Sequence, residues 1–350
     1  PLNMNQRNRT MTPFSFRAAV AGTALSLAAL MSPVANSTAD AATMKLASAT
    51  INDVQHEWQK VFAAELDKLV GDAVTVEIYP ASQLGPIPRM AEGVLLGTIE
   101  GFTTPTSFMT NVDPRFQAFD VPGLFRSPED VDAAIHDPEY RDHLETMFLD
   151  KGLRVIGAIY NSPTVVFTLE PVTTLEAMKG LKIRTFASPM QVKPMELLGA
   201  TPLPLALSEV VPALQSGGLD GLLVGMPILT AFKFYDIGKN ITDLRFAEIV
   251  SVTVVNEDWF QAQPEEVQEA IIGAGRAAEE SVFPWGVENV ERTYGIWADN
   301  GGAVHNLSDE EQAKMEAEFA DLAAQLVAAD PAVQEAYDRL KALVDAGGGD

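Results

Sequence analysis

Along this chain the spacing of apolar residues switches repeatedly between a period of two and a period of three to four, which predicts strands alternating with helices. The first helix rests on Val54, Trp58, Val61, Phe62, Leu66 and Leu69, all on one stripe, with Asn52 or Asp53 as its cap and Gly71 as its stop. Strands are expected at 45–49, 74–79 and 99–102, the last ending in the polar turn Thr103-Thr104-Pro105-Thr106-Ser107. The loop at 79–85 leads into a second helix through Leu95, closed by Gly97. Ser127-Pro128-Glu129-Asp130 is a strong helix start, with a cap, a proline at the first position and acids in the first turn. Two further strands follow, at 153–160 and 165–169.

The stretch Leu175-Glu176-Ala177-Met178-Lys179-Gly180-Leu181-Lys182-Ile183-Arg184-Thr185 organises what comes next. Thr174 caps a short helix, Gly180 ends it, and 181–183 read as a buried strand that delivers Arg184 to its far end. In open α/β sheets ligands bind outside the carboxyl ends of strands, and a guanidinium there offers a planar fork for a carboxylate. The plain alternative is a solvated surface arginine. Helices at 189–198, 208–215 and 226–235 then alternate with strands at 201–205 and 219–224. The run Ile249-Val250-Ser251-Val252-Thr253-Val254-Val255 is too β-branched for anything but a buried strand over 248–256. A long helix is expected over 264–298 with a kink at Pro284, then a strand at 302–306, two amphipathic helices and a glycine-rich flexible tail at 346–350. The fold class is α/β, in two lobes.

Length and composition agree with that reading, since 350 residues at 47% hydrophobic content can bury a sizeable core. The net charge of −24 makes nucleic acid and anionic membranes poor partners. It does not exclude an anionic ligand, because one desolvated arginine outweighs screened charges more than about 8 Å away. With no cysteine, thiolate and zinc–thiolate chemistry is impossible. The four histidines (His56, His136, His143 and His305) have no metal-ligand spacing, and no cofactor is expected. No nucleophile elbow, Walker loop or calcium loop occurs, and Gly273-Ala274-Gly275 lies inside a helical pattern rather than after a strand. Met4, the basic Arg7, Arg9 and Arg17, the apolar run at 18–31 and the small residues of Ala39-Asp40-Ala41 read as a signal peptide over 1–41, cleaved after Ala41. That apolar run is shorter than the roughly 20 residues a membrane span needs, so an exported periplasmic protein without membrane insertion is expected.

Five motifs carry a family resemblance: Ile78-Tyr79-Pro80-Ala81-Ser82-Gln83-Leu84-Gly85, Met178-Lys179-Gly180-Leu181-Lys182-Ile183-Arg184, Leu198-Gly199-Ala200-Thr201-Pro202, Ser208-Glu209-Val210-Val211-Pro212-Ala213-Leu214-Gln215 and Leu219-Asp220-Gly221. In order and spacing the chain resembles the DctP-type solute-binding proteins of TRAP (tripartite ATP-independent periplasmic) transporters. The resemblance implies a periplasmic binding protein-like fold with a long helix bracing both lobes. Lobe I would comprise 42–162 plus 251–290, and lobe II 163–250 plus 291–345. It further implies a non-enzymatic monomer that closes on a small organic acid by hinges near 160–163 and Val250, then meets TRAP permease membrane subunits. Arg184 would hold the carboxylate. Asn161, Phe186 and Met226 would stand beside it, and Thr104 and Asn52 would face it from the other lobe.

Departures from the pattern narrow the expected ligand. Sialate-binding relatives carry a second arginine shortly after a Tyr-Asn pair, where Thr164 follows Tyr160-Asn161 here, and their supporting asparagines fall on Ala187 and Val224. An unpaired buried carboxylate costs several kcal/mol, so one acid group on a partly apolar body is favoured, a monocarboxylate. A sulfonate at the same fork, a receptor serving a sensor or another transporter, and an exported hydrolase are the alternatives. The last would need a nucleophile–base pair or paired carboxylates in a recognisable spacing.

Overall fold

Residues 42–347 are described in a computed structural model; the expected signal peptide at 1–41 and residues 348–350 of the expected tail lie outside the described residues. The chain opens with β1 (Ala42–Ser48), α1 (Val54–Val70) and β2 (Val74–Tyr79). Asp53 caps α1 by accepting the His56 backbone N–H, satisfying one of the orphan donors of the first turn. Then come α2 (Ile87–Leu95), β3 (Gly101–Pro105), α3 (Pro128–Ile135), α4 (Pro138–Thr146) and β4 (Leu153–Thr168). The second half of the sheet is supplied by β5 (Lys182–Thr185), β6 (Thr201–Pro204), β7 (Gly221–Gly225) and β8 (Asn240–Asp243), with α5 (Pro189–Leu197), α6 (Leu207–Gln215) and α7 (Met226–Ala231) between them. β9 (Glu248–Asn256), α8 (Glu257–Gln261), α9 (Glu265–Asp299), β10 (Ala303–Asn306), α10 (Asp309–Ala328) and α11 (Pro331–Gly347) complete the chain.

Strands follow the order β2-β1-β3-β9-β4-β7-β5-β6, with β8 beside β4 and β10 beside β8. β4 joins two half-sheets. Its residues from Leu153 to Pro163 pair antiparallel with β9, and from Thr164 to Thr168 they pair with β7. Helices cover both faces of each half, as an α/β sheet requires. In the first half, Trp58, Phe62 and Leu66 of α1 pack with Ile271, Ala274 and Ala278 of α9 on one face, while Phe102, Phe116 and Val252 share the other with Leu340 of α11. In the second half, Ile183, Met195 and Leu223 pack with Phe319 of α10, and Phe167 and Leu222 with Trp297 of α9. One helix therefore buries its first turns in one half and its last turns in the other. Gly275 makes that possible, because any Cβ there would overlap the Ile156 carbonyl oxygen.

Several elements differ from the sequence reading for identifiable reasons. The strands expected at 153–160 and 165–169 are one strand, because Pro163 sits beside a register shift between Tyr160 and Ser162, where a missing N–H is tolerated. β3 continues through Thr103 and Thr104 to Pro105 by pairing with β9. The short helix before Arg184 is a single 3-10 turn, Glu176–Met178. The helical run expected at 226–235 divides into α7 and a second 3-10 turn, Phe234–Asp236. The long helix expected over 264–298 is α9, with Pro284 inside it. α11, grouped with lobe II in the sequence reading, packs on the first half against α3 and the turn Pro114–Asp120, after α10 has carried the chain across. Among the described residues no helix is long and apolar enough to cross a membrane.

Candidate functional site

The carboxyl ends of four strands meet between the two half-sheets. Ala49 and Thr50 follow β1, Thr103 to Pro105 end β3, Arg184 and Phe186 lie at the mouth of β5, and Val224 and Gly225 end β7. Asn161 of β4 and Ile249 of β9 form the floor where the halves join, and Gln55 from the first turn of α1 reaches in beside Thr50. Together these residues enclose a cavity of about 30 Å³. Ligand pockets are typically about 300–1,000 Å³, so the cavity as it stands is too tight for an organic acid.

Arg184 is the only charged side chain lining the cavity among the described residues, and it is only 2% exposed. Its position follows from pairing on both sides, with Leu203 of β6 and Leu222 of β7. Nε donates to the Leu205 carbonyl at 3.0 Å and Nη1 to the Leu223 carbonyl at 3.1 Å. Phe186 and Phe108 flank the guanidinium at 4.9 and 5.6 Å from their ring centres, Phe108 coming from the first half of the chain. No carboxylate pairs with it among the described residues, and burial alone pulls its pKa down to about 10. It still carries its charge at neutral pH. A guanidinium has five N–H donors, and two are used, so the remainder form a buried, cationic fork.

On the first half's side of the same cavity, Gln55 and Thr104 each carry a polar atom with no partner among the described residues. Gln55 is 1% exposed, and its Nε2 donates to Thr50 Oγ1 at 3.1 Å and to Asp53 Oδ2 at 3.2 Å, leaving Oε1 unbonded. Thr104 is also 1% exposed, and its Oγ1 is likewise unpartnered. Burial raises the Asp53 carboxyl above its ordinary range, opposed by hydrogen bonds from Thr50, the His56 backbone and Gln55. Thr103, by contrast, is fully engaged with Gln59 and Thr253. Asn161 is held by the protein as well, donating to Ser251 Oγ at 2.9 Å and accepting from Ser162 Oγ at 3.2 Å.

Of the residues singled out in the sequence, Arg184, Asn161, Phe186, Thr104 and Val224 line the cavity. Thr164 turns away, donating to the Ala247 carbonyl at 2.8 Å, and Met226 is buried in the core behind β7. Ala187 is half-buried outside the lining, and Asn52 is exposed in a separate groove with Glu57, Lys60 and Arg292. Asn52 takes a left-handed backbone, φ 59°, and its N–H points back to His56 Nδ1. The sequence reading passed over Gln55, Phe108, Leu207 and Ile228. Gln55 had a readable signal, since Gln55 and Gln59 fall at i and i+4 on the apolar stripe of α1, where uncharged polar residues need a reason. A second polar cluster ties the halves together beside the site: Gln191 Nε2 of α5 donates to Ser107 Oγ at 3.0 Å, and Ser107 Oγ donates to Asp120 Oδ1 at 2.7 Å.

Comparison with known proteins gives a consistent result. The family model DctP, bacterial extracellular solute-binding protein, family 7, matches residues 47–330. The 2,3-diketo-L-gulonate-binding periplasmic protein YiaO of Escherichia coli K12 is 28% identical over 227 residues, 65% of this chain and 69% of the relative. The sialic acid-binding periplasmic protein SiaP of Vibrio cholerae is 24% identical over 264 residues, 74% of this chain and 82% of its own. The crystal structure of the sugar acid binding protein DctPAm from Advenella mimigardefordensis, in complex with galactonate, aligns with a TM-score of 0.81 at 19% identity, covering 87% of this chain and 98% of that one.

Proposed function

Because the chain belongs to the DctP family, the family 7 bacterial extracellular solute-binding proteins, we propose that it captures a small monocarboxylate between its lobes and delivers it to the membrane subunits of a TRAP permease. It is an extracytoplasmic solute receptor rather than an enzyme. The observation that carries the ligand class is Arg184, a buried cation that lines the cavity and has no carboxylate partner among the described residues. A lone buried charge costs several kcal/mol unless something pairs with it, and a ligand carboxylate is the natural counter-ion. One cation supports one acid group. The apolar surface of Ile87, Phe108, Phe186, Leu207, Val224, Ile228 and Ile249 suits a body with few further charges. The relatives that bind 2,3-diketo-L-gulonate, sialic acid and galactonate are receptors for acids, in keeping with this reading.

In this reading the half-sheets are the moving lobes. The hinge comprises Tyr160 to Pro163 of β4 and the facing stretch of β9 around Val250, where the strands change register. Export by the segment at 1–41 places the receptor in the periplasm, where the permease lies within reach. A thermal-shift panel of mono- and dicarboxylates and small sulfonates tests the function. A monocarboxylate at a hundred times its Kd should add about 2.7 kcal/mol of stability, a shift of several degrees. No shift from any acid, together with esterase or lyase turnover, would overturn it.

A further inference from the structure

We infer that the acid held by Arg184 also carries a hydrogen-bond donor, a hydroxyl or an N–H, which it presents to Gln55 Oε1 and Thr104 Oγ1. This rests on the reading of Arg184 as the carboxylate site. It adds two specificity-determining residues and narrows the ligand to donor-bearing acids, against plain alkanoates and dicarboxylates. The orientation of the Gln55 amide is fixed by Asp53, whose Oδ2 lies 3.2 Å from Nε2 and also belongs to the group that caps α1. Reversing the amide would set its oxygen against that carboxylate, so Oε1 is the atom left without a partner. An amide oxygen can only accept. That oxygen is out of reach of water as well as of any donor among the described residues, so a ligand that supplies the missing hydrogen bond is favoured over one that does not. An alkanoate cannot, and it leaves a buried acceptor unpaired. A dicarboxylate brings a second acceptor to the same spot, facing Asp53 behind the amide. A hydroxyl or N–H satisfies Oε1, and Thr104 Oγ1 can serve the same group as donor or acceptor.

The test uses calorimetry with acids matched in carbon skeleton: butanoate, its 2-, 3- and 4-hydroxy derivatives, 4-aminobutanoate and succinate, with the six-carbon counterparts alongside. At least one donor-bearing acid should bind about tenfold or more tighter than its parent alkanoate, the size of effect that one unpaired buried acceptor produces. Gln55→Leu and Thr104→Val should each erase most of that preference, with the alkanoate tightening toward the affinity of the donor-bearing acid because the polar atom it left unpaired is gone. Thr104→Val is isosteric and removes a hydroxyl with no protein partner, so it gives an answer even if Gln55→Leu folds poorly. Equal, Arg184-dependent affinity for parent and donor-bearing acids would overturn this inference and leave the proposed function standing. A preference that survives in both variants would overturn it too. No binding by any acid would remove both readings together.

Discussion

Replacing Arg184 by methionine separates a binding cation from a structural one, because the chain contains a buried arginine of the other kind for comparison. Arg141 donates from Nε to both oxygens of the buried Glu279, at 3.1 and 3.2 Å. Arg141→Met strands that carboxylate on the Ala158 amide and His136, so it should cost about 3–5 kcal/mol of stability. Arg184→Met strands no carboxylate. Removing the charge relieves the desolvation that pulls its pKa from 12.5 to about 10, on the order of 3 kcal/mol, and forfeits two bonds to backbone carbonyls and contact with two rings, terms of similar size. The ligand-free stability should therefore change by no more than about 1–2 kcal/mol. At roughly 2–4 °C per kcal/mol, calorimetric melting should show a small shift for Arg184→Met and a loss of about 6 °C or more for Arg141→Met. Affinity for the acid should behave oppositely, falling by about 3–5 kcal/mol, or two to nearly four decades, in Arg184→Met alone. Near-native affinity in Arg184→Met, or a melting loss as large as that of Arg141→Met, would refute the argument.

Asp120 should make stability pH-dependent. Burial, outweighing hydrogen bonds from Ser107, Thr106 and Gln191, raises its pKa from 3.8 to about 6. The native state thus holds the proton more tightly, and its contribution is complete below about pH 4 and is lost as pH rises through about 6. Unfolding free energies from denaturant melts across that range should fall for the wild type by about 3 kcal/mol more than for Asp120→Asn, and parallel profiles would contradict this. Gly225→Ala tests how tightly the floor of the site is packed, since the new Cβ would overlap Ser162 Oγ and lie 3.1 Å from Ile249 Cδ1. It should cost about 1–3 kcal/mol, and Ser162→Ala in the same chain should restore part of that. Strictly additive losses would show that the two do not meet.

Much of the fold was legible because local chemistry and burial agree. The stripe from Val54 to Leu66, the cap at Asp53 and the β-branched run of β9 each mean one thing in any context. β4 was misread because Pro163 breaks a strand pattern locally, whereas a register shift beside it accommodates the missing donor, and that shift depends on β9. β8 is only four residues with no period to detect, and pairing with β4 and β10 makes it a strand. The amphipathic pattern of α11 says which face is buried but not against which half. At the site, Arg184 could be picked out because a cation at the end of an apolar strand is conspicuous. Gln55 stands out in the sequence only as a polar residue on an apolar stripe; that it lines the cavity depends on its distance to Thr50 and Asp53 and on the end of β3.

Charge and orientation combine at this cavity in a way that neither the net charge nor the arginine alone reveals. The chain's −24 is spread over surface carboxylates that salt screens beyond about 8 Å, whereas Arg184 acts through a buried, low-dielectric gap. Behind Gln55 stands Asp53, an acid whose pKa is raised by its own burial and which takes the amide N–H, so that the amide oxygen is the atom left over. One wall of the site is thus cationic and the other accepting. An acid with a donor at its far end fits this gradient in a single direction. Reversed, its carboxylate would meet Gln55 Oε1 with Asp53 behind it, and its donor would meet the donors of Arg184. In the proposed reading the selectivity for orientation would therefore come from the first half of the chain, although the charge that holds the acid would come from the second.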